Sequence, residues 1–154
     1  MDLSDSCYKV ELDLIGDKKE PQMVLKTIIS GLGRVSRPMD VLVDTGASMP
    51  LVLRKIDAIS LQAKLKGKKA KIIGIGLRNR DSLILNKKAK LSLRTSKNKK
   101  LVFNAPVEVM TLSNVKRKQI KRHFSFPILG LAFLRKYNIL VDTGETCLWV
   151  PKKQ

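Results

Sequence analysis

Short runs in which every second residue is apolar recur along this chain, and that two-residue period commits most of it to β-structure. Tyr8-Lys9-Val10-Glu11-Leu12-Asp13-Leu14 alternates apolar with polar, as a strand does when one face is buried and the other wet. Gly16 through Pro21 reads as a turn, because it collects glycine, proline and charge between two apolar runs. A second strand is predicted over 23–29, broken at Gly31-Leu32-Gly33. Val41-Leu42-Val43 is apolar throughout, which suits a strand covered on both faces. Further strands are predicted over 83–85, 89–93 and 101–110, with polar connections such as 95–100 between them. A last strand over 147–150 stops at Pro151. One helix is predicted over 131–137, with Leu131, Leu134 and Tyr137 on one face and Gly130 and Asn138 at its ends. The segment 116–122 is so basic that we expect an exposed loop. The expected architecture is all-β, a small closed or folded β-barrel with one short helix near the C-terminus.

A chain of 154 residues, 44% hydrophobic, suffices for one domain with its own core and is not disordered throughout. Cys7 and Cys147 are its only cysteines. Two thiols so far apart fit neither a disulfide framework nor a metal cluster, and they agree with a reducing compartment. No run of 18 apolar residues offers a membrane span. The acidic start, Met1-Asp2-Leu3-Ser4-Asp5, lacks the layout of a secretory signal. A cytoplasmic protein without a membrane partner is the expectation.

The formal net charge is +18, and it is unevenly spread. From Arg54 to Arg122 there are 21 Lys/Arg against 3 Asp/Glu, while the flanks hold 10 of each. Such a field attracts nucleic acid and other anions, so a nucleic-acid partner through the basic region Arg54–Arg122 is one expectation and a solvated lysine surface the other. Aromatic residues are few and stand apart from the basic runs in sequence, which argues against a platform for stacking single-stranded bases.

The chemistry is concentrated in Val41-Leu42-Val43-Asp44-Thr45-Gly46-Ala47-Ser48. An apolar strand ending in Asp-Thr-Gly delivers a carboxylate to a spot of low dielectric, with a hydroxyl beside it and a glycine that allows a sharp turn. Taken alone the triplet is commonplace. Two other segments give it context: Ile72-Ile73-Gly74-Ile75-Gly76, an apolar stretch with glycines, and Phe126-Pro127-Ile128-Leu129-Gly130, which precedes the predicted helix.

In that order the three segments resemble the retropepsin-like aspartic proteases, the enzymes of retroviruses and retrotransposons and their single-lobe cellular relatives. The resemblance covers roughly residues 23–150, leaving 1–22 as an N-terminal strand and turn ahead of a protease-like domain over 23–154. It implies that Asp44 is the catalytic aspartate and that Thr45 braces the two active-site loops of a dimer. Gly46 belongs to the same catalytic turn, and Ala47 and Ser48 continue it beside the bound peptide. It further implies that Ile73, Gly74, Ile75 and Gly76 lie in a flap over the substrate. Ile128, Leu129 and Gly130 would back the active-site loop, and we count them among the substrate-site residues.

One carboxylate is half of the machinery. Hydrolysis by this route needs an ionised carboxylate to take a proton from water and a protonated one to donate to the carbonyl oxygen. Two such groups at close range share a proton, because they cannot both ionise. A chain with one such loop must obtain the second from another copy by two-fold symmetry, so the expected partners are a second copy and a peptide or polyprotein substrate. No cofactor and no metal are needed.

Near the C-terminus Val141-Asp142-Thr143-Gly144 repeats the triplet. Only 12 residues follow Asp142, too few for a second lobe, so it is expected in a hairpin turn. His123, the only histidine, has no nucleophile near it in sequence, and the Gly-x-Gly pairs lack the further glycines and lysine of a phosphate loop. The competing class is a non-catalytic module of the same fold that dimerises or associates with nucleic acid. An intact Asp44-Thr45-Gly46 disfavours it, since a binding module gains nothing from desolvating a carboxylate.

Overall fold

The computed structural model describes residues 2–72, 80–110 and 125–153. The alternating stretch near the N-terminus forms two strands rather than one. β1 (Cys7–Glu11) pairs antiparallel with β13 (Cys147–Pro151), whereas β2 (Asp13–Ile15) pairs antiparallel with the start of β3 (Gln22–Ser30). Between them Leu12 is buried, and its N–H donates to the Thr146 carbonyl at 3.0 Å. The chain thus passes from one sheet to the other at a single apolar residue.

The smaller sheet has the order β1-β13-β12, with β12 at Leu140–Asp142. The larger runs β6 (Gly67–Ile72), β7 (Arg80–Leu85), β10 (Val107–Met110), β5 (Leu51–Arg54), β11 (Ile128–Gly130), β4 (Arg37–Asp44), β3, β8 (Ala89–Arg94) and β9 (Lys100–Ala105). One core cluster draws on both sheets, from Val10 and Leu148 to Leu25, Leu53, Leu91 and Leu129. Removing a side chain of that size from water contributes about 1.5–3 kcal/mol. The expected all-β class is what the chain adopts. Among the described residues the outer strands β6 and β9 do not pair with each other, so the sheet curls without closing. Lys68, Lys69 and Lys71 on β6 put charge along one open edge, which discourages pairing with another chain.

Two differences from the expected elements have local causes. The single strand expected over 101–110 splits at Pro106, which has no N–H for a ladder. β9 pairs with β8, and beyond the proline β10 moves to β7 and β5. The second difference is an additional helix, α1 (Lys55–Ser60). Its apolar residues mislead: Ile56 and Ile59 are 66% and 58% exposed, and small Ala58 is the one against the core. What starts α1 is polar. The Arg54 N–H and Nε reach Asp57 Oδ2 at 3.1 and 2.8 Å, and Nη2 reaches Oδ1 at 2.7 Å. Arg54 Nη1 donates to the Ser125 carbonyl at 2.7 Å, tying α1 to the approach to β11.

The helix near the C-terminus, α2 (Leu131–Lys136), lies where the spacing puts it, although Phe133 and Leu134 are its buried residues. Phe103 meets Phe133 and Tyr137 edge to face, and Phe133 tilts against Tyr137, with centroids 4.8–5.8 Å apart. Asn138 ends the helix at φ +52, a conformation that asparagine tolerates better than most residues. No helix among the described residues is long and apolar enough to cross a membrane. The segment 116–122 lies outside the described residues.

Candidate active site

Asp44 is the last residue of β4, a strand held between β3 and β11. Val41 and Val43 are buried, so the apolar run anchors the strand and brings its polar end to a fixed place. β11 runs parallel to β4, in a register that sets Ile128 beside Leu42, Leu129 beside Val43 and Gly130 beside Asp44. Two segments more than 80 residues apart in sequence thus end side by side.

Beyond Asp44 the chain turns at once. The Gly46 N–H donates to Asp44 Oδ1 at 2.9 Å, and the Ala47 N–H donates to the Asp44 carbonyl at 3.2 Å. A carboxylate accepting a backbone N–H is oriented as well as stabilised. The returning loop is then tied to the start of α2. The Leu131 N–H donates to the Ala47 carbonyl at 2.6 Å, and the Gly130 N–H donates to the Pro50 carbonyl at 2.9 Å. Gly130 has no room for a side chain, since a β-carbon there would lie 1.8 Å from the Met49 oxygen and 2.7 Å from the Ala47 oxygen. Behind the loop Ala47, Val52, Met110 and Ile128 form a small apolar cluster of their own.

In the single chain Asp44 is half-buried, and Thr45, Gly46 and Ser48 are exposed. The spot is therefore less enclosed than the apolar run before it suggests. Among the described residues no lysine or arginine forms an ion pair with Asp44.

The other expected site residues divide into three groups. Ile128, Leu129 and Gly130 are buried in strand pairing. They support the loop from behind. Ala47 is also buried, its methyl group turned into the small cluster, so it has its backbone and not its side chain to offer a ligand. Ile73, Gly74, Ile75 and Gly76, the expected flap, lie outside the described residues. The loop carbonyls of Met49 and Pro50 are an unexpected part of the arrangement. Backbone acceptors leave no signal in sequence, and only the geometry around Gly130 reveals them.

No family model matches the chain, and no curated protein matches it. Among solved structures it is similar to one described as EIAV protease complexed with the inhibitor HBY-793, with a TM-score of 0.46 and 19% identity over 80% of this chain and 95% of that one. It is also similar to the retroviral protease-like domain of Ddi1 from Leishmania major, with a TM-score of 0.42 and 13% identity over 85% of this chain and 90% of that one. At such scores the site has to be read from this chain's own residues.

The second Asp-Thr-Gly is built differently. Asp142 ends β12, and a tight turn leads from it into β13. Its carboxylate accepts the Glu145 N–H and the Trp149 Nε1–H, each at 3.0 Å. Those two hydrogen bonds, the Glu145 one foremost, hold its carboxyl below the usual value of 3.8. A carboxyl depressed in the folded state adds stability above its unfolded pKa and loses it as pH falls through the folded one. The advantage of the natural protein over Asp142→Asn is expected to be small, complete at about pH 5 and above, and to shrink below about pH 4. Melting temperatures of both proteins from neutral pH to acid check this; a gap that stays constant would mean the charge contributes nothing.

Proposed function

We propose that the chain is an aspartic endopeptidase of the retropepsin type, active as a homodimer in which two Asp44 carboxylates meet across a two-fold axis. The observation that carries this reading is the placement of Asp44. A carboxylate is oriented by the Gly46 N–H at 2.9 Å, fixed at the end of a central strand, and left half-exposed in the single chain. One chain supplies a rigid half-site, and a second copy would supply both the partner carboxylate and the other wall of a peptide groove.

In the dimer the ionised Asp44 takes a proton from water as the oxygen attacks the peptide carbonyl carbon, and the protonated Asp44 donates to the carbonyl oxygen. Collapse of the tetrahedral intermediate breaks the C–N bond, with a proton passing to the leaving amine. No covalent intermediate forms. On this reading Thr45 braces the partner's loop, and the segment Ile73 to Gly76 closes over the substrate.

Cleavage of an extended-peptide library, with and without a statine-type inhibitor that mimics the tetrahedral intermediate, tests the chemistry. Cleavage abolished by the inhibitor is expected; a protein that dimerises yet cuts nothing would overturn the assignment. The assembly has its own test. Specific activity is expected to fall on dilution below the dimer dissociation constant, and activity per chain that holds steady while sedimentation shows monomer would rule the homodimer out.

A further inference from the structure

The aromatic residues that stand apart from the basic runs in sequence do not stand apart in the fold. Against the smaller sheet lies a cleft of about 250 Å³ whose lining includes Tyr8, Trp149, Lys9, Lys97, Lys99 and Lys152. Tyr8 comes from β1 and Trp149 from β13, and because Lys9 is the residue opposite Trp149 the two rings project to opposite faces of the sheet at its edge. The turn between β8 and β9 supplies Lys97 and Lys99, and it is docked on β1 by the Ser96 N–H, which donates to the Lys9 carbonyl at 2.8 Å.

The charges there are poorly neutralised. Lys99 Nζ lies 4.6 Å from the centre of the Tyr8 ring and donates to the Tyr8 hydroxyl at 2.5 Å. Lys152 Nζ lies 5.6 Å from the same ring and donates to the Ser4 and Asp5 carbonyls at 3.2 and 3.3 Å. Ring faces and neutral oxygens surround both ammoniums, and among the described residues neither pairs with a carboxylate. Lys9 differs, being paired with Glu145 at 3.4 Å, and Asp142 is occupied by the Trp149 and Glu145 N–H groups. An anion bound near these ammoniums would offset their mutual repulsion.

Lysines beside an aromatic ring form the combination that a single strand of nucleic acid uses, its phosphates meeting the charges and a base lying on the ring. The net charge of +18 adds attraction at long range. An acidic peptide joining as a strand would need the open edge of β1, where the Lys9 carbonyl already accepts the Ser96 N–H. We propose that this cleft binds single-stranded nucleic acid, with backbone phosphates on Lys97, Lys99 and Lys152 and a base against the Trp149 ring. It shares no residue with the Asp44 loop and stands independently of the proteolytic reading.

Trp149 is the only tryptophan of the chain, so its fluorescence reports on the cleft directly. Titration of the full chain with an oligothymidylate of about 10 nucleotides is expected to quench it saturably, with affinity falling steeply between about 50 and 200 mM salt. The exposed pair Lys97→Glu/Lys99→Glu should weaken binding at least about tenfold and flatten the salt dependence by about two phosphate contacts. Lys68→Glu/Lys69→Glu on β6, an equal change of charge elsewhere, should weaken it less than about threefold. If the first pair lowers the melting temperature, Lys97→Gln/Lys99→Gln takes its place, with a smaller loss in the same direction. Equal weakening by both pairs would reduce the effect to general basicity and overturn the site. Quenching of equal strength by polyglutamate would overturn the ligand class, and no quenching at low salt would overturn both.

Discussion

Asp44→Asn is expected to abolish peptide hydrolysis, by about 10³-fold or more, while the protein still folds and dimerises. Asparagine keeps the shape and can still accept the Gly46 N–H that orients the carboxylate, but it cannot take a proton from water. Asp142→Asn makes the same chemical change in the same triplet and is expected to keep most activity, because its carboxylate is spent on the Glu145 and Trp149 N–H groups of a hairpin. Asparagine serves in such a turn nearly as well as aspartate. Initial rates at a concentration well above the dimer dissociation constant, with melting temperatures of both variants, make the comparison. Loss of activity in both with the fold intact would mean that one chain builds its dyad internally, and loss in neither would mean that the chain is no aspartic protease.

Gly130→Ala is the second change with a large expected effect, and it acts through the backbone. The added carbon would meet the Met49 carbonyl oxygen at 1.8 Å and the Ala47 oxygen at 2.7 Å, and neither can swing aside as a side-chain tip would. Accommodating it means separating β11 from the loop, which breaks the 2.9 Å bond from the Gly130 N–H to Pro50 and the 2.6 Å bond from Leu131 to Ala47. A loss of about 3 kcal/mol or more is expected, read from the denaturant midpoint. In whatever fraction stays folded, activity should fall further than folding does, because the displaced loop carries Asp44. Wild-type stability and turnover in this variant would show that the loop is not held from β11.

Much of the frame is legible in the sequence because burial and local chemistry agree. Val41-Leu42-Val43 reads as a covered strand and is one, and Ile128-Leu129-Gly130 reads as the backing of the loop and pairs beside it. The hairpin turn expected at Asp142 is where it lies, with β12 paired to β13. What the sequence hides has a common origin in partners that it does not name. Ala47 and Ile128 share an apolar cluster with Val52 and Met110 that no run of sequence contains. α1 escapes a reading by apolar periodicity because its isoleucines face outward and a salt link starts it. The aromatic and basic residues of the Trp149 cleft come from residues 4–9, 95–99 and 149–152, and no window of sequence contains them together.

The joining of β1 to β13 also sets an order of events during synthesis. Cys7 lies opposite Pro151 in that pairing, and the Lys152 N–H donates to the Ser6 carbonyl at 3.0 Å, so β1 waits for β13. While the chain emerges, Val10 and its neighbours have no ladder to join, and contacts of such sequence separation form slowly. β3 and β4, by contrast, pair across a short turn and have all their residues early. The Asp44 loop can therefore be scaffolded on one side before β11, which holds it on the other, has emerged. On that timetable the loop gains its second support only once residue 130 is available, and a ribosome-stalled chain ending before residue 128 would carry Asp44 on a loop without it.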